Sequence, residues 1–232
     1  MKVYAFDFDG TLTKKDTFLA FIEYAKGYGK TFWGFFLFSP ILILMKLRLF
    51  PNWKAKQMVF SWFFKGMNIN EFNQICHEFA DRNQCIIRTR GWDTIRKALA
   101  NGEQVIIITA SIENWVKPFF KEFGNQIKVE GTKIDVRINQ ITGQFLTQNC
   151  YGVEKTKRLK EVFPYRQAYE LIAFGDSNGD RYLLNEADES HYKPFRNEKT
   201  DKIGEIIRFG IVGVAATAIQ YGLYLLLLKW LQ

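Results

Sequence analysis

Met1-Lys-Val-Tyr-Ala-Phe-Asp-Phe-Asp-Gly-Thr-Leu-Thr13 is the stretch from which the rest of the chain is read. It has the form of a short apolar strand that breaks into a loop at Gly10. Asp7 and Asp9 sit two apart. Within a strand that spacing would aim both side chains at one face, but the strand ends here, so the loop can give the two acids separate roles. Two ionised carboxylates this close repel, and a cation between them or a proton on one removes that cost. Surface turns also use Asp, Gly and Thr, so the meaning of the stretch depends on what later segments bring to it.

The chain has 232 residues, enough for one α/β domain with an insertion or for two small domains. A net charge of +8 favours anionic partners: phosphates, nucleic acid or an acidic lipid surface. Nucleic acid is the weaker choice, because zinc-finger spacing, an RRM signature and a long basic arm are all missing. Cys76, Cys85 and Cys150 are odd in number with no CxxC, which suggests reduced thiols and a cytosolic setting. The N-terminus lacks a basic segment followed by an apolar one, so export is not expected.

Asp16 is placed to cap a helix carrying Phe18, Leu19, Phe21, Ile22 and Ala25. Phe32 to Met45 is then uncharged and rich in aromatics, with Lys46 and Arg48 after it. It is shorter than the ~20 residues that span a bilayer, and Pro40 is expected to break or kink it. Val59 to Phe64 is a second aromatic cluster, preceded by Lys54-Ala-Lys56. Basic residues beside aromatics suit an interface of anionic headgroups and acyl chains; the alternative is a buried helical hairpin.

Ile69 to Arg90 and Asp93 to Ala100 read as helices. Gln104 to Thr109 and Leu171 to Gly175 are unbroken apolar runs, the pattern of strands buried on both faces of a parallel sheet. Ile127 to Glu130 reads as a short strand, and Val136 to Phe145 as a hairpin with Thr142-Gly143 between β-formers. Glu154 to Val162 and Asp180 to Ala187 read as helices. Phe209 to Leu228 is uncharged and long enough to match about 30 Å of hydrocarbon, with Gly and Ala as at helix contacts within membranes. It is expected to be a transmembrane helix with the catalytic part on the cytosolic side.

Three strand ends supply matching groups: Asp7 with Asp9, Thr109, and Asp176 with Asp180. Ligands of open parallel sheets bind outside the carboxyl ends of the strands. With Lys155 from a helix start, this is a set for phosphoryl transfer: carboxylates for a divalent cation, a nucleophilic carboxylate, a hydroxyl for a phosphoryl oxygen and a cation for charge.

On these residues the chain resembles the haloacid dehalogenase superfamily. Asp7-Phe8-Asp9-Gly10-Thr11 matches its DxDGT motif, Thr109 the second motif, Lys155 the third, and Gly175-Asp176-Ser177-Asn178-Gly179-Asp180 the GDxxxD fourth. The resemblance implies a three-layer α/β Rossmann-like parallel sheet. Residues 1–15 and 91–198 would be the catalytic core, 16–90 an inserted helical cap, and 205–230 a C-terminal transmembrane helix. It implies that Asp7 is the nucleophile and Asp9 the acid and base. Mg²⁺ would be held by Asp7, the Asp9 carbonyl and Asp176. Thr109 and Lys155 would meet the phosphoryl group, Asp180 would orient Lys155 or a metal-bound water, and Gly10 and Thr11 would shape the loop. Ser111 offers a phosphate contact or, more simply, a turn residue. Asp16 and Arg88 offer substrate contacts or, more simply, a cap and a surface pair.

The insertion between the first two motifs resembles the cap of the phosphoserine-phosphatase-like branch. Asp16-Thr17-Phe18, Thr109-Ala-Ser111 and Asn149-Cys150-Tyr151-Gly152 resemble phosphatidylglycerophosphatase C-like proteins. The implied substrate is a lipid phosphate monoester at the cytosolic face of a bacterial-type inner membrane. A small soluble phosphomonoester is the enzyme alternative. Ile207 to Tyr224 resembles the first helix of GtrA-like membrane proteins, so the non-enzyme alternative is a membrane glycolipid-handling or scaffolding protein. Since Asp7 and Asp176 must meet, the chain between them cannot cross a membrane an odd number of times.

Overall fold

The computed structural model describes residues 1–196. The apolar segment at 209–228, with its expected span and its GtrA-like resemblance, lies outside the described residues. Met1–Phe195 is one compact unit.

The chain runs β1 (Lys2–Phe6), a wide helical turn at Phe8–Leu12, α1 (Thr17–Lys26), α2 (Tyr28–Lys46), α3 (Asn52–Phe64) and α4 (Ile69–Arg82). It continues through α5 (Thr89–Ala100), β2 (Gln104–Ile112), α6 (Glu113–Val116), β3 (Ile127–Thr132), β4 (Ile134–Arg137) and β5 (Gln140–Phe145). It then forms α7 (Val153–Val162), β6 (Glu170–Gly175), α8 (Arg181–Glu186) and β7 (Glu189–Tyr192).

Five parallel strands form one sheet in the order β3-β2-β1-β6-β7. β1 is central, and the order reverses across it. The register then builds the site. Phe6 lies opposite Ile107 on one side and Phe174 on the other, so Asp7, Thr109 and Asp176 all emerge at the same edge. Both faces of the sheet are covered, as the unbroken apolar runs require. Val3, Ala5, Ile106 and Ala173 pack toward Leu159 and Leu183 on one side. Phe6, Ile107 and Phe174 face the larger aromatic core on the other.

That larger core includes α1, α3 and α4. Phe21 stacks on Trp115 at 4.8 Å and meets Phe72 and Phe79 edge-on at 5.4 Å each. The aromatic cluster of α3 is therefore mostly core: Val59, Phe60, Phe63 and Phe64 are buried, and Trp62 is exposed. Helix α2 is different. It buries only Thr31 and Gly34, and it exposes Phe32, Trp33, Phe36, Leu37, Ile43 and Leu44. Gly34 marks where α2 crosses α3: a Cβ there would come within 2.4 Å of Phe63 Cζ and 2.7 Å of Trp62 Cζ3.

Four local expectations are corrected. Pro40 does not interrupt α2. Pro40 is exposed, as is Phe36 one turn earlier, so water can take the bond that the missing N–H would have made. The helix expected over 69–90 ends at Arg82, and α5 starts at Thr89, ahead of Asp93. The connector pairs instead with the first loop, through Lys14 N–H to Ile86 O at 2.8 Å and Arg88 N–H to Leu12 O at 2.8 Å. β2 runs past Thr109 to Ile112, so Ser111 is a strand residue rather than a turn residue. The hairpin turn is Ile138-Asn139, both at positive φ (48° and 59°), and Gly143 lies within β5.

The β4–β5 hairpin, counted with the core on sequence grounds, packs against the cap. Gly66 N–H donates to Ile141 O at 2.8 Å, Ile141 N–H to Met67 O at 2.9 Å, and Ile69 N–H to Asn139 O at 2.9 Å.

Candidate active site

Asp7 leaves β1 buried, its own N–H held by Phe174 O at 2.9 Å. Its Oδ1 accepts from Lys155 Nζ at 2.5 Å, and its Oδ2 accepts from Thr11 Oγ1 at 3.3 Å. Lys155, in the first turn of α7, is only 1% exposed, which rules out a solvated helix charge. The same ammonium donates to Asp180 Oδ1 at 2.5 Å. Asp180 Oδ2 in turn accepts from Asp176 N (3.1 Å), Ser177 N (2.9 Å) and Ser177 Oγ (2.8 Å). Asp180 therefore orients Lys155 and fixes the loop that presents Asp176.

Asp7, Asp176 and Asp180 each offer a carboxylate oxygen within 4.8 Å of the others. Gly10, at φ +80°, makes room for this group: a Cβ there would lie 2.4 Å from Asp176 Oδ2. The donors are all hard oxygens, the chemistry that suits Mg²⁺. Charge points the same way. Burial raises Asp7 well above the ordinary carboxylate range; Lys155 opposes this, while Asp180 and Asp9 add to it. Burial disfavours the Lys155 ammonium, but Asp7 and Asp180 outweigh it and hold it above its usual value. For Asp180 burial is likewise outweighed, by Lys155 and the Ser177 donors, so its carboxyl is lowered. One ammonium thus serves two acids, and Asp7, whose carboxyl stays raised in spite of it, is where a further positive charge would be favourable. The residues present fit a divalent cation held by Asp7 and Asp176; Asp180, although in the cluster, is already engaged by Lys155 and its own loop.

Asp9 turns the other way. Its Oδ1 accepts from Thr17 N (2.7 Å) and Thr17 Oγ1 (2.6 Å), and its Oδ2 from Ser111 Oγ at 2.5 Å. Trp115 Nε1 donates to Thr17 Oγ1 at 3.2 Å and steadies the clamp. Burial and then the Asp16 charge raise the Asp9 carboxyl, against the pull of the Ser111 and Thr17 donors. A carboxyl raised above its ordinary range and fixed in place is suited to giving and taking a proton. Thr109 is fully buried at the same strand end, where its Oγ1 accepts from Ser111 N at 3.0 Å; its hydroxyl proton is left for another acceptor.

Asp16 caps α1, accepting from Phe18 N at 2.9 Å and Leu19 N at 3.3 Å. Arg88 is buried, donating from Nε to Thr13 O at 3.1 Å and from Nη1 to Phe195 O at 3.4 Å. From this buried position it ties the first loop to the segment at Phe195. Burial pushes the Cys150 thiol up to about 12, which removes it as a nucleophile. Neither the Thr17 clamp on Asp9 nor the Trp115 contact behind it follows from the sequence reading, in which Thr17 only opens a helix. Lys56 was read only as a basic neighbour of aromatics, yet its ammonium donates to Ala110 O at 2.8 Å, beside Thr109 and Ser111.

The haloacid dehalogenase-like hydrolase family model matches residues 4–185. The chain belongs to the haloacid dehalogenase-like hydrolases. With its paired acids in place it is a phosphoric monoester hydrolase of that family. It is similar to Protein CicA of Caulobacter vibrioides, at 33% identity over 202 residues, covering 84% of this chain and 86% of that one. Among solved structures it resembles a protein of unknown function from Bordetella pertussis Tohama I (TM-score 0.72, 18% identity, covering 82% of this chain and 88% of that one). It also resembles a phosphoserine phosphohydrolase-like protein from Francisella tularensis subsp. tularensis SCHU S4 (TM-score 0.59, 16% identity, 84% and 90%). A third is a phospho-aspartyl intermediate analogue of phosphoserine phosphatase (TM-score 0.51, 14% identity, 82% and 84%). At these identities the structural likenesses speak to the fold.

Proposed function

We propose that this family member is a Mg²⁺-dependent phosphatase of a membrane lipid phosphomonoester, phosphatidylglycerophosphate being the example its sequence resemblance names. Asp7 attacks phosphorus: the Asp7 O–P bond forms, the bond from phosphorus to the ester oxygen breaks, and Asp9 gives its proton to that leaving oxygen. Asp9, now a carboxylate, takes a proton from water as the water oxygen attacks the aspartyl-phosphate, releasing inorganic phosphate and restoring Asp7. Lys155 and the Thr109 hydroxyl face charge on the transferring group. A Mg²⁺ held by Asp7, Asp176 and the Asp9 carbonyl would supply the positive charge that Asp7 lacks.

The single observation behind the lipid reading is the outer face of α2. Its large apolar side chains point outward, and Lys30, Lys46, Arg48 and Lys54 lie at or near its ends. Contiguous exposed apolar area of this kind marks an interaction surface. The basic residues match anionic headgroups, and Trp33, Trp53 and Trp62 suit the interfacial zone. The helix has the length and composition to cross a bilayer. Yet it is folded against α3, whose inner face is core, so we place it along the membrane surface rather than through it. The described cysteines are all free, in keeping with the cytosolic face of an inner membrane. The soluble-ester alternative needs the aromatic cap to be ordinary core, and α2 is not. The non-catalytic alternative leaves the clamped Asp9 without a use.

The test is phosphate release from phosphatidylglycerophosphate in anionic vesicles and from a water-soluble phosphomonoester, with Mg²⁺ and with chelator. Replacing Trp33, Phe36 and Leu37 together by Ser should lower the vesicle-to-soluble rate ratio at least about tenfold, since each burial is worth about 1.5–3 kcal/mol. An unchanged ratio argues against membrane docking by α2, and full activity in chelator argues against the metal.

A further inference from the structure

Lys155 is shared between two carboxylates, and a second lysine reaches the same site from the cap. Lys56 comes from α3 and donates to Ala110 O at 2.8 Å, and its Nζ lies 5.1 Å from the centroid of the Phe18 ring. Among the described residues no carboxylate forms an ion pair with it. An ammonium has three donors; one is used on Ala110, and the Phe18 face covers another side. Both Lys56 and Ala110 remain partly accessible, so the group lines an opening rather than a sealed core. Burial lowers the Lys56 ammonium below an ordinary lysine, opposed by the charges of Asp16, Asp9 and Asp7 in that order. A positive charge withdrawn from water and given a single backbone acceptor is costly unless an anion completes it.

Its position says which part of the substrate would do so. Ala110 adjoins Ser111, whose hydroxyl holds Asp9. Asp9 serves the leaving oxygen, so whatever hangs from that oxygen passes beside Lys56. We infer that Lys56 is the specificity-determining residue for a second negatively charged oxygen group, a phosphodiester or a carboxylate, carried by the leaving alcohol of the phosphomonoester. This rests on the phosphatase reading and narrows it: the preferred substrates are phosphomonoesters whose leaving part is itself anionic. A lipid with a phosphodiester headgroup and a small soluble phosphocarboxylate share that chemistry.

The experiment uses the full-length protein and two matched pairs: 3-phosphoglycerate against glycerol 3-phosphate, and phosphatidylglycerophosphate against phosphatidic acid in mixed micelles. Wild type should prefer the first member of at least one pair, and which pair tells a lipid from a soluble source. Lys56→Met should collapse that preference about tenfold or more, mainly through KM, and Lys56→Arg should restore most of it. A structural latch between α3 and β2 would instead lower kcat/KM on both members in parallel, and that result overturns the inference. Hydrolysis without any preference in wild type overturns it alone. Failure to hydrolyse all four esters overturns the phosphatase reading and this inference with it.

Discussion

The floor of the site and the outer hairpin of its cap solve opposite problems. On the floor, Asp7, Lys155 and Asp180 are buried charges, each tied to the next at hydrogen-bonding distance. On the hairpin, α2 leaves Phe32, Trp33 and Phe36 in the open and buries little besides Thr31 and Gly34. One region puts charge where water is scarce, and the other puts oil where water is plentiful. Each is expensive for an isolated domain, and under the proposed function each would become favourable when its partner arrives: a cation and a phosphate for the floor, an acyl surface for the hairpin. On that proposal, unfavourable surface marks function at both ends of the polarity scale.

The contrast can be broken first on the floor. Asp7→Asn removes the nucleophile, and phosphate release should fall by about 10⁴-fold or more on lipid and soluble esters alike. Stability without metal should not fall, because the raised Asp7 carboxyl is an uncomfortable group there; a denaturant titration in chelator checks this. Retained turnover would remove Asp7 from its role. On the hairpin, Gly34→Ala inserts a methyl against Phe63 and Trp62 and should cost about 1–3 kcal/mol by overpacking. Its effect on rate should be greater with vesicles than with a soluble ester, and equal effects would mean that hairpin and floor are not separable. The smallest effect is expected between the two regions. Asp16→Asn keeps an α1 cap but removes the charge that helps raise Asp9. Asp9 must be protonated to serve the leaving oxygen, so activity is lost as pH rises through its elevated value. Lowering that value should shift the alkaline limb of kcat/KM to more acid pH, and an unmoved limb would mean that another group sets it.

The floor was legible because its chemistry is written at strand ends. Asp7, Thr109 and Asp176 follow apolar runs whose register brings them together, and Asp16 stands where a helix needs a cap. The support around Asp9 was not legible. Thr17 and Ser111 are common residues whose hydroxyls matter only once α1 and β2 lie side by side, 94 residues apart in the chain. Lys56 was hidden for the same reason, since its meaning depends on which way α3 faces. The composition of Phe32 to Met45 is equally consistent with core and with surface, and only the packing of α3 separates the two. Pro40 misled because a proline rule describes a lost bond, whereas the outcome depends on whether solvent can replace it. The break after Arg82 came from strand-like pairing of Ile86 and Arg88 with the first loop, a long-range preference with no local signal.

The three backbone bonds that stitch Gly66, Met67 and Ile69 to the β4–β5 hairpin have a consequence for traffic through the enzyme. A cover riveted along one seam to a ribbon growing out of the base cannot lift like a trapdoor unless it tears the seam or drags the ribbon with it. Molecules would therefore slide in beneath the rim, and the doorway would keep its shape between one turnover and the next.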